Sequence, residues 1–202
     1  MGISKPKKLA NAVTADKVGA RRRKGRVPAS GAGAAIRCAR AMLEPGAACV
    51  LDTETTDLDG AIVEVAVIDA CTGDVLLDTL VNSGDVRISQ EAFRVHGICD
   101  EDVADAPTWP DVLPTLLRVT WGRKILAYNA EFDLGRVQYE CHRHERDPGH
   151  LGDHGNWGCV MNYRSERRLP LLGGHRALAD TRTARDVLLG LTAPARRSVG
   201  LS

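Results

Sequence analysis

Two acidic residues end the apolar segment at residues 47–54. Asp52 and Glu54 are separated by Thr53 alone. Because side chains alternate between the two faces of a strand, both carboxylates would lie on one face and Thr53 on the other. Carboxylates this close raise each other's pKa unless a cation lies between them, and a divalent cation with oxygen ligands is the usual partner. Taken alone, the pattern is more often a strand that ends in polar turn residues.

The same site could include three later residues of the chain, namely Asp133, His175 and Asp180. Asp133 follows a predicted strand and lies in the first turn of a predicted helix, where α/β sites gather but where a carboxylate also stabilises the helix N-terminus. Asp180 follows His175 by five residues, about 1.4 helical turns. We therefore place His175 on the loop before the helix. A histidine beside a carboxylate cluster is a candidate general base, whereas a lone one at such a junction is usually polar surface.

The predicted elements give these residues a common scaffold. Strands rich in apolar and β-branched residues are predicted at 47–54, 62–68, 75–81 and 124–128, and the first three form an antiparallel meander. Helices are predicted at 35–43, at 89–96 with Ser89 as its cap, at 110–119, at 131–142 with Asn129 as its cap, and at 176–189. This order predicts an α/β fold with a mixed central sheet flanked by helices.

Composition is that of a globular protein with one ordinary domain. The chain has 202 residues, of which 44% are hydrophobic, enough for a sizeable core. No apolar stretch approaches the roughly 20 residues of a membrane span, and no secretory signal is visible. Six scattered cysteines without a CxxC pair favour reduced thiols and a cytoplasmic location.

Charge is divided unevenly along the chain. Residues 1–30 carry nine Lys or Arg and one Asp, hence +8, which leaves −7 for residues 31–202 of a chain whose net charge is +1. We predict a basic, disordered N-terminal arm over 1–44 that includes the short helix, a folded domain over 45–192, and a tail over 193–202. The segment 1–30 could be a solvated tail, a contact to the phosphate backbone of nucleic acid, or an organelle transit peptide.

Four motifs resemble, in the same chain order, those of the DEDD exonucleases of the histidine subtype. This superfamily includes the epsilon proofreading subunit of bacterial DNA polymerase III and ribonuclease T. The motifs D-x-E, V-H-G-I, N-x-x-F-D and H-x(4)-D are matched by Asp52 and Glu54, by residues 95–98, by Asn129, Phe132 and Asp133, and by His175 and Asp180. The resemblance covers roughly residues 47–190 and implies a ribonuclease H-like fold.

The resemblance implies a metal-dependent 3′→5′ exonuclease that releases nucleoside 5′-monophosphates from DNA 3′ ends, above all single-stranded ones. Two Mg²⁺ or Mn²⁺ ions would be held by four carboxylates, those of Asp52, Glu54, Asp133 and Asp180. His175 would take the proton of the attacking water. The terminal nucleotide would be bound by Thr55, Thr56, Leu58, His96, Asn129 and Phe132.

Two other functions stay open from the sequence. One is an RNA-trimming exoribonuclease of the same superfamily, because the motifs do not distinguish the sugar. The other is a catalytically weak nucleic-acid-binding module, although such a module would not need all five motif residues. The resemblance is compatible with a homodimer. The 13 residues after Leu189 are too few for the tail by which epsilon subunits hold their polymerase, so a stable polymerase complex is not expected.

Two departures from the family pattern stand out, together with one further cluster. Asp57 occupies the position where the family often has Gly, which could weaken phosphate approach or change base preference. The segment 163–175 is shorter than in relatives, which could thin one wall of the site. The segment 141–159 contains Cys and His, which are zinc-ligand types, but it has no C-x(2–4)-C pair, so we expect a solvated polar loop.

Overall fold

A five-stranded mixed sheet with helices on both faces organises the chain. The computed structural model describes residues 31–163 and 175–193. The strands are β1 (Ala48–Thr55), β2 (Ile62–Asp69), β3 (Val75–Leu80), β4 (Lys124–Ala127) and β5 (Trp157–Cys159). The helices are α1 (Gly31–Met42), α2 (Gln90–His96), α3 (Asp100–Val103), α4 (Trp109–Thr120), α5 (Ala130–Arg143) and α6 (Ala177–Thr192). Three short 3-10 helices flank β5, at Gly149–Gly152, His154–Asn156 and Val160–Tyr163.

Strand β1 lies at the centre of the sheet, whose order is β3-β2-β1-β4-β5. It pairs antiparallel with β2 and parallel with β4. Because parallel strands end at the same edge of a sheet, the end of β1 and the start of α5, which follows β4, come together there. The fold therefore brings the D-x-E motif and the N-x-x-F-D motif together at one edge of the sheet.

Alternating residues of β1 belong to two different apolar cores. Cys49 and Leu51 pack into the core formed with α4 and α5, whereas Val50 packs with Ala184 and Leu188 of α6. The same alternation puts Asp52 and Glu54 on the α6 side of the sheet and Thr53 on the α5 side. The predicted shared face of the two carboxylates is thus the face that α6 covers.

Most predicted elements are present with shifts of a few residues at their ends. The predicted meander and mixed sheet are confirmed, and Ser89 caps α2 by accepting a hydrogen bond from the Ala92 amide. Asn129 occupies the position before α5, but its side chain makes no capping hydrogen bond. Helix α1 begins at Gly31 rather than at residue 35, and α3 and β5 were not predicted.

The prediction of a solvated polar loop at 141–159 is wrong. Leu151 and Trp157 are buried, and the Trp157 indole donates a 2.8 Å hydrogen bond to the Leu151 carbonyl. Strand β5 then adds to the sheet beside β4. Two apolar side chains that the sheet can bury are enough to order a segment dominated by polar residues and glycine.

Several sequence predictions concern residues outside the described part of the chain. These are the basic segment 1–30, the short segment after Tyr163 up to residue 174, and residues 194–202 of the predicted tail. None of the helices within 31–163 and 175–193 combines the length and apolarity that crossing a membrane requires.

Candidate active site

Three carboxylates converge where β1 ends beneath α6. Asp52, Glu54 and Asp180 each offer an oxygen, and these oxygens lie within 4.8 Å of one another. Asp180 is buried, and the other two are half-buried. Strand alternation places Asp52 and Glu54 side by side, and the packing of α6 across the same face brings Asp180 to them from 126 residues farther along the chain.

The cluster is strongly acidic and is largely buried from solvent. Burial raises the pKa of Asp52 well above its ordinary value, and the charges of Asp133, Glu54 and Asp180 raise it further. Burial and neighbouring carboxylates raise the pKa of Glu54 to about 8. Burial also raises the pKa of Asp180, with the nearby His175 acting in the opposite direction. These carboxylates repel one another as long as no cation lies between them.

The residues present fit a divalent metal ion. The donor set consists only of carboxylate oxygens, which Mg²⁺ and Mn²⁺ prefer. Among the described residues, Asp180 Oδ1 is a buried side-chain oxygen without a hydrogen-bond partner. A buried carboxylate oxygen without a partner is costly, and a bound cation would satisfy it.

Asp133 approaches the cluster from the other side of the sheet. It lies in the first turn of α5, is 3% exposed, and accepts a 2.9 Å hydrogen bond from the Thr53 hydroxyl. Burial raises the pKa of Asp133 to about 7, although that hydrogen bond opposes the rise. Asp133 is not one of the three converging carboxylates. It is nevertheless the neighbouring charge with the largest effect on the pKa of Asp52.

His175 stands directly before α6, at the rim of the cluster. Its side chain is exposed, and its backbone is left-handed, with φ of 45°. It is close enough for its charge to favour ionised Asp180. The predicted placement of His175 on the loop, leaning toward Asp180, agrees with this arrangement.

Sequence reasoning missed three residues beside the cluster. Thr53 orients Asp133, and Arg176 pairs with the buried Glu64 of β2. For Glu64 a signal existed, because it is a single carboxylate inside the apolar run IVEVAVI, which was predicted to be a strand. A charged side chain in a buried strand is almost always paired, so the sequence indicates that Glu64 has a partner without naming it.

A pocket opens next to the carboxylates, between the end of β1, α2 and α5. It encloses about 340 Å³, within the range of small-ligand sites. Four of the predicted nucleotide-binding residues line it, namely Thr55, Leu58, His96 and Phe132, and Asp57 lies there as well. Leu58 is 78% exposed, which is unusual for a leucine that would serve only in the core.

His96 ties α2 to the end of β1. Its Nδ1 accepts a hydrogen bond from the Ile98 amide, so its Nε2 carries the proton and donates to the Thr55 carbonyl at 3.1 Å. Burial lowers the pKa of His96, in keeping with this neutral form. Val95 and His96 of the V-H-G-I signature thus line the pocket.

Two predicted pocket residues lie outside the pocket lining. The Thr56 side chain is fully buried, and its hydroxyl accepts a hydrogen bond from the Ala61 amide inside the turn after β1. Asn129 is exposed at the start of α5. Their predicted contacts with the terminal nucleotide stay predictions.

The Cys and His residues of 141–159 do not converge on a common point. His150 hydrogen-bonds the Thr120 hydroxyl at 2.9 Å, Cys159 donates to the Tyr128 carbonyl, and Cys141 is buried in the core. In the parts of the chain that the structure describes, Asp52, Glu54 and Asp180 form the single group with metal-ligand geometry.

Comparisons with known proteins point to the same chemistry. An uncharacterized exonuclease of Escherichia phage 186 is 41% identical over 92 residues, which are 45% of this chain and 46% of the phage protein. The DNA polymerase III subunit epsilon of Salmonella typhimurium is 36% identical over 110 residues, which are 48% of this chain and 44% of the subunit. The chain therefore spans less than half the length of either relative.

The fold is also found in a solved nuclease structure. Exonuclease X in complex with 5′ overhanging duplex DNA superposes with a TM-score of 0.51 and 28% identity, over 71% of this chain and 89% of that one. The sheet and its flanking helices are those of ribonuclease H-like exonucleases. The exonuclease family model matches residues 49–154, just over half of the chain, and the chain therefore belongs to this exonuclease family.

Proposed function

We propose that the protein is a metal-dependent 3′→5′ exonuclease that acts on DNA 3′ ends, single-stranded ones in particular, and releases nucleoside 5′-monophosphates. The observation that carries the proposal is the convergence of Asp52, Glu54 and Asp180 within 4.8 Å, with Asp133 on their flank. Four carboxylates beside a nucleotide-sized pocket suit the metal-dependent hydrolysis of a phosphodiester. Without metal ions, the negatively charged carboxylates and the negatively charged phosphate would repel one another.

The carboxylates would hold two Mg²⁺ or Mn²⁺ ions. Asp52, Glu54 and Asp180 would hold one, and Asp133 together with Asp52 would hold the other. Such ions, when bound, lower the pKa of a water molecule and stabilise negative charge on the phosphate and on the leaving 3′ oxygen. Thr53 fixes the Asp133 carboxylate by its hydrogen bond, so that the ligand does not have to be ordered upon binding.

His175 would act as the general base. It stands at the cluster and is exposed, so it can take the proton of an attacking water and return it to solvent. The water oxygen bonds to phosphorus while the bond from phosphorus to the 3′ oxygen of the preceding nucleotide breaks. A general base contributes about 10²–10⁴-fold in rate.

The pocket would bind the terminal nucleotide. Leu58 and Phe132 offer apolar surface for the base, while the Thr55 carbonyl is fixed by His96. DNA is favoured over RNA because the relatives include a DNA polymerase subunit, and because Exonuclease X was solved with DNA. Exoribonuclease activity and binding without cleavage are the alternative outcomes of the test.

The experiment uses single-stranded DNA and RNA labelled at the 5′ or the 3′ end, incubated with Mg²⁺, with Mn²⁺ or with EDTA. We expect metal-dependent release of 5′-mononucleotides from the 3′ end of DNA, and its loss in Asp52→Asn. The matched control is Asp186→Asn, the same change at an exposed position of α6. Faster cleavage of RNA would change the substrate class. Binding without cleavage of either polymer would overturn the enzyme and favour a binding module.

A further inference from the structure

We propose that Glu64 is a positioning residue, which fixes the start of α6 and thereby holds His175 and Asp180 at the carboxylate cluster. The proposal rests on the proposed function and adds a residue that none of the four motifs contains. Glu64 lies on β2 as the cross-strand neighbour of Glu54, on the face of the sheet that α6 covers.

Glu64 is bound to two consecutive residues at the beginning of α6. Its carboxylate accepts hydrogen bonds from Arg176 Nε at 3.0 Å and Arg176 Nη2 at 2.5 Å. It also accepts a 2.8 Å hydrogen bond from the backbone amide of Ala177. Glu64 as a whole is 4% exposed. A buried carboxylate with this many charge-assisted bonds leaves the bound atoms little freedom.

These contacts replace a cap that the helix does not supply for itself. Arg176 occupies the N-cap position and makes no side-chain capping bond. The first amides of a helix need partners from outside, and a negative charge there also suits the helix dipole. Glu64 provides both from a neighbouring strand, so the helix start is registered against the sheet rather than against its own loop.

His175 and Asp180 depend directly on that registration. His175 precedes the bound pair in a left-handed conformation, with φ of 45°, and such a conformation persists where the neighbouring structure fixes it. Asp180 lies one turn beyond, and its amide donates to the Arg176 carbonyl at 3.0 Å. A shift of the helix start would therefore move the general base and a metal ligand together.

Glu64 is placed to orient the cluster rather than to belong to it. Both its oxygens are used by Arg176 and Ala177, and it is not among the three converging carboxylates. Glu64 is buried and Arg176 is half exposed, and such an ion pair adds little stability compared with well-packed apolar side chains. A charged pair kept beside the site is better explained by the geometry that it imposes.

The test compares Glu64→Ala and Arg176→Ala with Asp69→Asn in the whole chain. Asp69 is the matched control, because it forms a 2.6 Å ion pair with Arg123 at the opposite end of the same strand. Mn²⁺ affinity is measured by calorimetry, and stability is measured by thermal unfolding. The values of kcat and KM are measured with single-stranded DNA as the substrate. We expect Glu64→Ala to weaken Mn²⁺ binding and to lower kcat, each by about 10–100-fold, with KM little changed. Asp69→Asn should destabilise the fold and leave these values unchanged.

The sign of the Arg176→Ala effect separates positioning from simple electrostatics. Removing this cation leaves Glu64 as extra negative charge beside the cluster, and charge alone would tighten Mn²⁺ binding. Positioning instead predicts that Arg176→Ala weakens Mn²⁺ binding and lowers kcat. It also predicts that a variant with both Glu64→Ala and Arg176→Ala loses no more Mn²⁺ affinity or kcat than Glu64→Ala alone. Tighter binding in Arg176→Ala would overturn the proposal, as would losses in Glu64→Ala no larger than in Asp69→Asn.

The Mn²⁺ series also distinguishes this proposal from the proposed function. A wild-type protein that binds Mn²⁺ but cleaves no nucleic acid would refute the nuclease, while weaker Mn²⁺ binding in both variants would still support Glu64 as a positioning residue. A wild-type protein that binds no Mn²⁺ would refute both, since no metal site would exist for Glu64 to organise.

Discussion

The acidic cluster should make the metal-free protein less stable as pH rises. The folded-state pKa is raised to about 8 for Glu54 and to about 7 for Asp133, from ordinary values near 4. A carboxyl group with a raised folded pKa binds its proton more tightly in the folded state than in the unfolded state. Its contribution is therefore fully present below the unfolded pKa, near pH 4, and is lost as pH rises through the folded pKa.

The size of the loss follows from the two pKa values. Each pKa step is worth about 1.4 kcal/mol, so a rise from 4.5 to about 8 at Glu54 corresponds to roughly 5 kcal/mol. The charge of Asp133 is itself one of the causes that raise the pKa of Glu54, so the two contributions do not add in full. We expect the free energy of unfolding in EDTA to fall by a few kcal/mol between pH 5 and pH 8.

Replacing one carboxylate by its neutral isostere should reverse part of this loss. Asp52 is repelled by Asp133, Glu54 and Asp180, so Asp52→Asn should stabilise the metal-free protein at pH 8 by roughly 1–3 kcal/mol. Below pH 4 the carboxyl groups are protonated, and the variant should gain little. Saturating Mn²⁺ should stabilise the wild type by about 3 kcal/mol at a hundred times its Kd, and should barely affect Asp52→Asn.

Urea unfolding followed by tryptophan fluorescence measures these effects, in EDTA and in Mn²⁺, at several pH values. Asp186→Asn, an exposed change on α6, controls for the loss of one charge. A metal-free wild type that is equally stable at pH 5 and pH 8 would refute the reasoning. A lower stability of Asp52→Asn at pH 8 would do the same, because the cluster would then not be under repulsion.

Three further substitutions test the surroundings of the cluster. Thr53→Val removes the only hydroxyl that binds Asp133 among the described contacts, so we expect a stability loss of about 1–3 kcal/mol in urea unfolding and a lower kcat. Gly60→Ala would put a Cβ 2.1 Å from Thr56 Oγ1 and 2.5 Å from the Asp57 amide, so the turn must open; a soluble variant of unchanged melting temperature would contradict this. Leu58→Ala, at a side chain 78% exposed, should change stability by less than about 0.5 kcal/mol while raising KM for oligonucleotides.

Much of the sheet and half of the site could be predicted from the sequence because their signals are local. Strands β1, β2 and β3 are apolar runs of strand length with short connections, and strand alternation alone places Asp52 and Glu54 on one face. Strand β5 could not be predicted in this way. It is three residues long and forms only because β4 offers a free edge and the core accepts Trp157.

The relations between distant residues needed the structure. The hydrogen bond from Thr53 to Asp133 joins residues 80 positions apart, and that from Arg176 to Glu64 joins residues 112 apart. Neither leaves a periodic signal, because each depends on which face of the sheet a helix covers. Glu64 could have been flagged as a charge in an apolar strand, but its partner could not have been named.

The site also shows why the H-x(4)-D motif, which contributes Asp180, must be held in place by the scaffold. Like charges cannot hold Asp180 beside Asp52 and Glu54, and in the absence of cations the three carboxylates repel one another. Opposing this, Ala184 and Leu188 of α6 are buried against β1, and a fully buried leucine alone contributes roughly 1.5–3 kcal/mol. Apolar packing of this size can keep α6 on the sheet but cannot fix its position along its own axis, because apolar contacts are not directional. The bonds from Arg176 and Ala177 to Glu64 are directional, and they act one turn before Asp180. The apolar face of α6 thus keeps the helix on the sheet against the repulsion between carboxylates. Glu64 fixes the position of the helix along its own axis, and with it the position of Asp180.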